Sequence, residues 1–369
     1  MTSTEMITPV EPGTTFSSRI GAIARARETG IVLALALVIV VTTIKNPTFL
    51  FSLDGWRDLL LTPSILVVLA IGEAIVIITR NVDLSVGSVL GLSAYLTGTL
   101  FIKFQGIPIL AVFLIGIVFG ALLGLINGAL VAFARVPALV ITLGTLYAYR
   151  GIDVAWAGAS LINASDLPPD FLALGTKTIL TIPVLTIIAL VVLIVGAWYM
   201  KNTRGGREFY AIGSDPAAAE LYGLAVTRRV LSAFIVSGAA AGLAGVLYAA
   251  RYGTVNSQAG LGFELDAVAA AVIGGVAIFG GSGTLWGAAF GAVLLLTINR
   301  ALPVLGVPDF WQRAVVGVLI IGAIVLDRIL ALRQSRKLIE ARDTAPAVVE
   351  MPVDAAEQRT VSGEEGNRG

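Results

Sequence analysis

Few residues of this 369-residue chain are of the types that carry out chemistry. There is no His and no Cys, which excludes a His general base, a Cys nucleophile, a disulfide and a His or Cys metal site. Glu73 is the one ionisable residue well inside a long apolar stretch. A membrane enzyme needs several titratable groups that converge on one point. The sequence therefore predicts that the chain is not an enzyme, and that Glu73 either bonds to a neighbouring helix or lines a polar pathway.

The elements that must position these residues are long and apolar. Hydrophobic residues make up 57% of the chain and charged residues 13%, against about 25% charged residues in a soluble domain. A transmembrane helix needs about 20 mostly apolar residues. Uncharged runs that could supply such helices lie at 29–44, 59–72, 84–102, 104–134, 136–149, 178–200, 230–250, 267–299 and 314–326.

Run 267–299 is too long for one helix, and its glycines from Gly274 onward predict two spans joined by a tight turn. Runs 59–72, 136–149 and 314–326 are too short to cross alone, so they borrow flanking residues, tilt or form broken helices. We therefore expect an all-α integral membrane protein with about ten transmembrane helices, some of them short or broken.

The basic residues predict the orientation. Most of the 25 Lys and Arg fall on the side that holds both termini, and cytoplasmic loops are the ones enriched in Lys and Arg. Loop 201–229 is the clearest case, with five basic residues. Residues 1–28 then form a cytoplasmic N-terminal segment, 29–330 the transmembrane domain, and 331–369 a cytoplasmic tail that is first basic and then disordered.

Loop 201–229 also contains a short helix with recognisable ends. Ser214 or Asp215 can cap its start, and Pro216 suits its first turn. Ala217, Ala218 and Glu220 are good helix formers, and Gly223 can end the helix. So short a helix is not stable alone in water and must pack on something. It packs either on the inner face of its own chain or in a groove of a cytoplasmic partner.

A polar segment at 80–88 separates two apolar runs. Arg80 and Asp83 are close enough in sequence to pair, and Asp83 could cap the next helix. The small polar residues that follow predict a helix face that looks into the protein or a water-filled pathway. Small residues at regular spacing in 116–128 and 238–249 predict close helix packing, within one chain or across a dimer.

Three motifs follow one another along the chain: Asn81–Ser88 (NVDLSVGS), Gly262–Gly275 (GFELDAVAAAVIGG) and Gly280–Thr284 (GGSGT). Together they resemble the membrane-spanning permease of ribose-type bacterial ABC importers, over about residues 31–330. Arg80 and the segment Leu143–Gly151 are most similar to the branch that takes up autoinducer-2 or rhamnose. The motif residues that carry the resemblance are Asn81, Asp83, Gly87, Glu264, Asp266, Gly274 and Gly275.

The resemblance implies a multi-pass permease of the bacterial inner membrane. Such a subunit forms the pathway for a monosaccharide or sugar-like solute (rhamnose, autoinducer-2, ribose or a related pentose or hexose), by alternating access driven by a partner ATPase. The implied partners are cytoplasmic ATP-binding subunits, a second permease in a homo- or heterodimer, a periplasmic or lipid-anchored sugar-binding protein and membrane lipid, with no nucleic acid. The helix at 214–224 corresponds to the family's coupling helix, which inserts into a groove of the ATPase.

This chain is expected to bind no cofactor, with ATP and Mg on the partner subunit. None of its lysines lies in a G-x-x-x-x-G-K-[ST] phosphate loop. Weakly polar side chains suit a pathway that must release its solute. Position and polarity favour Glu73, Ser85, Ser88, Ser93, Asn127, Thr142 and Thr145 as pathway candidates.

Carboxylates near the outer side are interpreted as solvated rim charges or as a docking surface for the binding protein. They are Asp153, Asp166, Asp170, Glu264 and Asp266. The alternative function is an ion-coupled secondary sugar transporter, which generally uses several buried carboxylates or cations. The apolar runs offer Glu73 as the firm candidate, which favours the ATP-driven class.

Overall fold

The structure is a computed structural model that describes residues 27–134, 136–308, 310–311, 314–315, 317–318, 321–322 and 325. Residues 1–26 of the predicted N-terminal segment 1–28, the predicted tail 331–369 and most of the predicted last span lie outside the described residues. The predicted cytoplasmic location of both termini therefore stays a prediction. The described part is almost entirely helical, which confirms the all-α prediction.

The helices are α1 (Arg27–Lys45), α2 (Thr48–Phe51), α3 (Leu53–Leu61), α4 (Ser64–Ile78), α5 (Val86–Lys103), α6 (Ile109–Ala134), α7 (Ala138–Ala157), α8 (Pro169–Thr176), α9 (Val184–Asn202), α10 (Arg204–Ser214), α11 (Pro216–Leu221), α12 (Val226–Tyr252), α13 (Phe263–Ile273) and α14 (Leu285–Val304). A 3-10 turn (Ala164–Asp166) precedes α8. An antiparallel hairpin, β1 (Thr178–Ile179) and β2 (Ile182–Pro183), precedes α9.

Within the described residues, six helical stretches are long and apolar enough to cross a membrane: α3 with α4, α5, α6, α9, α12 and α14. The short run 59–72 borrows flanking residues, because α3 and α4 together extend over Leu53–Ile78. Run 136–149 is likewise extended by the residues that follow it, because α7 continues to Ala157. The predicted count of about ten spans stays a prediction.

The predicted division of run 267–299 is confirmed, because residues 274–284 separate α13 from α14. However, α13 has 11 residues and rises about 16 Å, roughly half of the hydrocarbon thickness. The segment before it runs into the helix bundle, where Gly260 O packs against Gly87 of α5. We call residues 253–262 the inserted loop.

Helix α12 lies at the centre of the fold and packs against α4, α5 and α6. The glycines of α6 lie against those of α12, so that a Cβ on Gly120 would be 2.7 Å from Gly242 Cα. A Cβ on Gly124 would be 3.0 Å from Gly238 Cα. Small residues allow this close backbone approach in a membrane, where no hydrophobic driving force brings helices together. These glycines therefore serve packing within the chain.

Candidate coupling helix and buried polar clusters

Helices α10 and α11 form an exposed elbow between α9 and α12. The Oδ1 atom of Asp215 caps α11 by accepting hydrogen bonds from the backbone N–H groups of Ala217 (3.0 Å) and Ala218 (3.1 Å). Gly223 follows the helix with a φ of +76°, and Ser214 is the last residue of α10. The other residues predicted for this helix, Pro216 and Glu220, lie inside it. The capped helix is therefore present as predicted, with Asp215 as its cap.

Two apolar side chains protrude at the end of α11. Leu221 is 89% exposed and Tyr222 is 87% exposed, whereas Ala219 on the opposite face is buried. Large apolar side chains that are exposed to water often mark a surface that binds a partner protein. Tyr is enriched among the residues that contribute most to the binding energy of such interfaces. The elbow therefore offers an anchor that this chain leaves uncovered.

Three backbone segments meet at the base of α11. Arg80, in the turn after α4, donates from Nε to Phe279 O (2.8 Å) and from Nη2 to Ser214 O (2.9 Å). The backbone N–H of Gly281 donates to Ile78 O at 2.9 Å. These bonds join the end of α4, the segment 274–284 and the elbow into one unit, which we call the junction.

Close packing reinforces the junction. Gly213, in the last turn of α10, lies directly against Ile78 O and Gly281 N, and a Cβ there would overlap both. The Tyr210 hydroxyl donates to Gly283 O at 3.1 Å. The third family motif thus meets the elbow at Gly281 and Gly283.

The expected pairing of Arg80 with Asp83 is wrong. Both guanidinium hydrogen bonds of Arg80 go to backbone carbonyls of the junction, and Asp83 is buried elsewhere, at 1% exposure. Arg80 also has a φ of +65°, a left-handed conformation that costs a non-glycine residue about 1 kcal/mol. Its hydrogen bonds to the junction offset this strain.

Glu208 ties the elbow to α12. Its Oε1 accepts from Arg204 Nε at 2.8 Å, and its Oε2 accepts from Arg229 Nε at 2.5 Å. The hydrogen bond from Arg229 holds the pKa of this carboxyl below its ordinary value, and Arg204 adds to the effect. Both oxygens are thus satisfied, and α10 is tied to α12 by Glu208 and to Arg80 by Ser214.

A second cluster lies deep in the bundle and links α4, α5, α6, α7 and α12. Glu73 Oε1 accepts from the backbone N–H of Asp83 at 3.1 Å, and Asp83 Oδ1 accepts from the Ser85 hydroxyl at 2.7 Å. Asn127 Nδ2 donates to Ser85 Oγ at 2.6 Å, and the Tyr149 hydroxyl donates to Asn127 Oδ1 at 3.2 Å. We call this chain of hydrogen bonds the Asp83 network.

Two further residues complete the Asp83 network. Ser237 of α12 donates to Asp83 Oδ2 at 3.3 Å, and Thr142 of α7 donates to Val82 O at 3.1 Å. Asp83 also accepts a hydrogen bond from the backbone N–H of Ser85. It therefore bonds to the residue just before α5 and does not cap the first turn of that helix. The network thus fixes the first family motif against four neighbouring helices.

The predicted pathway residues are mostly inside the bundle in this conformation. Six of them are fully buried: Glu73, Ser85, Ser88, Ser93, Asn127 and Thr142. Thr145 is half-buried and donates to Thr142 O at 3.3 Å. The structure brings Glu73, Ser85 and Asn127 into one network, while Ser88 bonds to Leu146 O. Their role in a pathway stays a prediction.

A third cluster consists of Arg150 and Asp153 on α7 and Glu264 on α13. The Arg150 Nη1 atom donates to Ser257 O (3.2 Å) and Ala259 O (2.7 Å) of the inserted loop. It also lies 3.7 Å from Asp153 Oδ2. We call these three charged side chains the Arg150 cluster.

The Arg150 cluster overturns two expectations. Asp153 is fully buried and Glu264 is 9% exposed, so they are not solvated rim charges. Asp166 and Asp170 are exposed, as expected, and Asp266 is half-buried. Glu73 is also not the single buried ionisable group. Several carboxylates are buried in the bundle, so the number of ionisable groups there does not disfavour ion coupling.

Fold and clusters together define a multi-pass membrane protein with an exposed elbow on one loop. Residues 57–324 match the family described as the permease component of the branched-chain amino acid transport system. The chain belongs to this family of permeases. It is a transporter component rather than an enzyme.

Relatives specify the branch of the family. The chain is 38% identical over 301 residues to the autoinducer 2 import system permease protein LsrC of Enterobacter sp. (strain 638), covering 82% of this chain and 86% of the relative. It is 37% identical to LsrC of Klebsiella pneumoniae over the same coverage. It is 36% identical over 302 residues to LsrC of Yersinia pseudotuberculosis serotype O:1b, covering 81% and 85%. No solved structure matches the chain.

These comparisons confirm the resemblance to ribose-type ABC permeases near the autoinducer-2 branch. They also confirm a multi-pass protein of the inner membrane, in agreement with the membrane-length helices. The sequence interpretation missed Tyr149, Ser237 and Arg150 as members of the buried clusters. Arg150 was identified from the sequence as a basic residue beside a short apolar run and as part of the branch-like segment, with no buried role, and Ser237 gave no local signal.

Proposed function

We propose that this chain is the permease subunit of an ATP-driven importer for a sugar-like solute. Autoinducer 2, the solute in the names of its relatives, leads the candidates, with rhamnose, ribose and related pentoses or hexoses beside it. A second permease completes the pathway, and a periplasmic or lipid-anchored sugar-binding protein delivers the solute. Cytoplasmic ATP-binding subunits hold ATP and Mg and hydrolyse the nucleotide, so this chain needs no cofactor.

The observation that carries the coupling proposal is the exposed apolar end of α11 on a fixed base. Leu221 and Tyr222 are exposed, while Ser214, at the foot of the helix, is bonded to Arg80. A helix that transmits force needs a partner on one side and a rigid support on the other. α11 has the support within this chain, and the ATP-binding subunit supplies the partner.

The junction gives the force a route into the membrane. Movement of α11 pulls on Arg80 and on the Gly281–Ile78 hydrogen bond, and both act on the end of α4. Glu73 on α4 is bonded to Asp83, so the displacement reaches the Asp83 network. Packed helices rearrange between discrete arrangements rather than deforming continuously. Closure of the ATPase would thus switch the permease between inward and outward access.

The coupling helix is tested by co-purification of the co-expressed ATP-binding subunit with the tagged permease. Replacing both Asp215 and Glu220 with Arg removes the cap of α11 and reverses its charge, so we expect the ATPase to be lost. The pair Leu221→Ala with Tyr222→Ala removes the anchor and keeps the cap; we expect at least tenfold lower recovery, since anchor residues contribute about 2 kcal/mol or more each.

Asp170→Arg is the matched control, because Asp170 is an exposed carboxylate in the loop predicted to lie on the other side. It should leave recovery of the ATPase unchanged. Undiminished recovery with both elbow variants would overturn the assignment of α11 as the coupling helix.

A further inference from the structure

The Arg150 cluster has no part in the coupling route. α7 carries Arg150 and Asp153, the first turn of α13 carries Glu264, and α5 supplies the surface on which they pack. Moving an ion out of water costs several kcal/mol unless partners replace its hydration. Ionisable groups inside a membrane protein are for this reason functional candidates. The cluster therefore needs an explanation beyond helix packing.

Much of the hydrogen-bonding capacity of the cluster is unused. Among the described residues, both carboxylate oxygens of Asp153, the Oε2 atom of Glu264 and the Nε atom of Arg150 are buried without a hydrogen-bond partner. The 3.7 Å between Arg150 Nη1 and Asp153 Oδ2 is an ion-pair distance and too long for a hydrogen bond. Acceptors on two carboxylates and one guanidinium donor are thus left unused by the described part of the chain.

Two glycines of α5 set the spacing of the unused acceptors. Glu264 Oε2 lies against Gly87, where a Cβ would overlap it. Asp153 Oδ2 lies against Gly91, at 3.0 Å from the position of a Cβ there. The two glycines are four positions apart on α5, about 6 Å along its axis, so the two carboxylates lie against neighbouring turns of this helix.

We propose that Arg150, Asp153 and Glu264 form a binding site for a neutral, polyhydroxylated solute inside the permease. Each carboxylate accepts a hydrogen bond from one solute hydroxyl, and Arg150 Nε donates to a third oxygen. The proposal rests on the proposed function and names the residues that contact the imported solute. Hydrogen bonds to ionised groups are about twice as strong as neutral ones, so few are needed.

Position and charge support this choice of ligand. The side chain of Arg150 is 15% exposed, so one of the three members of the cluster is accessible in this conformation, whereas Asp153 is fully buried. A metal ion fits less well, because Arg150 brings a positive charge and, among the described residues, no group of three or more acidic side chains could hold one. A neutral solute adds no charge to a cluster of two carboxylates and one guanidinium.

The test compares uptake of ribose and 2-deoxyribose by the complete transporter in proteoliposomes, with its binding protein and ATP. Asp153→Asn and Glu264→Gln keep side-chain shape and remove the charged acceptor. Per assembled complex, we expect each variant to lower Vmax/KM for ribose by about tenfold. At least one should also lose most of the wild-type preference for ribose over 2-deoxyribose. The binding protein is the same throughout, so a change in preference reports on the permease.

Asp54→Asn is the control, because Asp54 is an exposed carboxylate outside the Arg150 cluster, and it should transport like the wild type. A structural role alone would lower the amount of complex but leave the rate and preference per complex unchanged, and this outcome would overturn the proposal. The wild-type protein gives a test that needs no variant. A hydrophobic carbodiimide should modify Asp153 or Glu264, and saturating ribose should reduce that modification at least threefold. Modification that ribose does not reduce would also overturn it.

Failure of the proposed function looks different. The wild-type complex would then show no ATP-dependent uptake of ribose, 2-deoxyribose or autoinducer 2. If the wild type takes up one of these with ATP, the behaviour of Asp153→Asn and Glu264→Gln decides the binding site separately.

Discussion

The junction and the Arg150 cluster both place charged side chains in the protein, yet they differ in how fully those charges are bonded. At the junction, Arg80 donates to two carbonyls and both oxygens of Glu208 accept from arginines. In the Arg150 cluster, both oxygens of Asp153 and one of Glu264 have no hydrogen-bond partner in the part of the chain that the structure describes. Fully satisfied polar contacts make a region rigid. Unsatisfied ones leave capacity for a ligand.

The Asp83 network lies between these extremes. Ser85 is hydrogen-bonded to both Asp83 and Asn127, while Glu73 Oε2 has no partner among the described residues. It is connected to the junction through α4 and to the membrane interior through α5, α6, α7 and α12. The Asp83 network thus combines bonded polar groups with one buried carboxylate oxygen that the described residues leave without a partner.

The largest effect should come from adding one methyl group at the junction. Gly213→Ala would push α10 away from Ile78 O and Gly281 N, and overpacking of this kind costs about 1–3 kcal/mol. We expect a clearly lower unfolding temperature of the detergent-purified protein. Gly144→Ala is the matched control, because Gly144 is also helical and has nothing within 4 Å of a Cβ. Equal unfolding temperatures for the two variants would contradict the account of the junction.

A smaller effect is expected in the Asp83 network. Asn127→Ala removes the donor to Ser85 and the acceptor of Tyr149, although Tyr149 keeps its hydrogen bond to Leu123 O. We expect a loss of about 1–2 kcal/mol in the free energy of unfolding, measured by denaturant titration. Asn202→Ala, which removes an exposed amide bonded within its own helix, should cost less. A larger loss with Asn202→Ala would show that the network does not stabilise the bundle.

Glu73→Ala separates stability from transport in the same network. We expect uptake to fall, because the hydrogen bond between Glu73 and Asp83 transmits the movement of α4. Unchanged uptake per complex would remove Glu73 from the pathway. Uptake in proteoliposomes, normalised to the amount of assembled transporter, is the measurement.

The smallest effect concerns Glu208 and depends on pH. Its pKa is lowered in the folded protein by Arg229 and Arg204, so the ionised form stabilises the fold above the ordinary glutamate value of 4.5. That stability is lost as the pH falls through the lowered pKa. Glu208→Gln should therefore be less stable than the wild type at neutral pH, by less than about 1 kcal/mol, and the difference should vanish in acid. A difference that grows in acid would contradict the pairing.

Local features were predictable from the sequence. Asp215, Pro216 and Gly223 carry helix-end signals that depend on a few neighbouring residues, and the structure has the helix between them. The glycines after Ile273 likewise marked the division between α13 and α14. The permease family was predictable because its motifs are contiguous stretches of sequence.

Long-range contacts were not predictable in the same way. Arg80 bonds to residues 134 and 199 positions away, so its proximity to Asp83 in sequence was misleading. Glu264 and Asp153 were assigned to the outer side because charged residues usually mark the ends of apolar runs. The inserted loop folds into the bundle instead and buries them, and its insertion depends on contacts with Gly87 and Arg150 rather than on hydropathy.

The central claim is that this permease moves its solute with energy received through α11. Uptake of autoinducer 2 into proteoliposomes that contain the complete transporter tests it most directly. We predict uptake that requires ATP, persists with an uncoupler, and is lost with the Leu221→Ala and Tyr222→Ala pair. Uptake that proceeds without ATP and collapses with an uncoupler would contradict the account and identify an ion-coupled transporter.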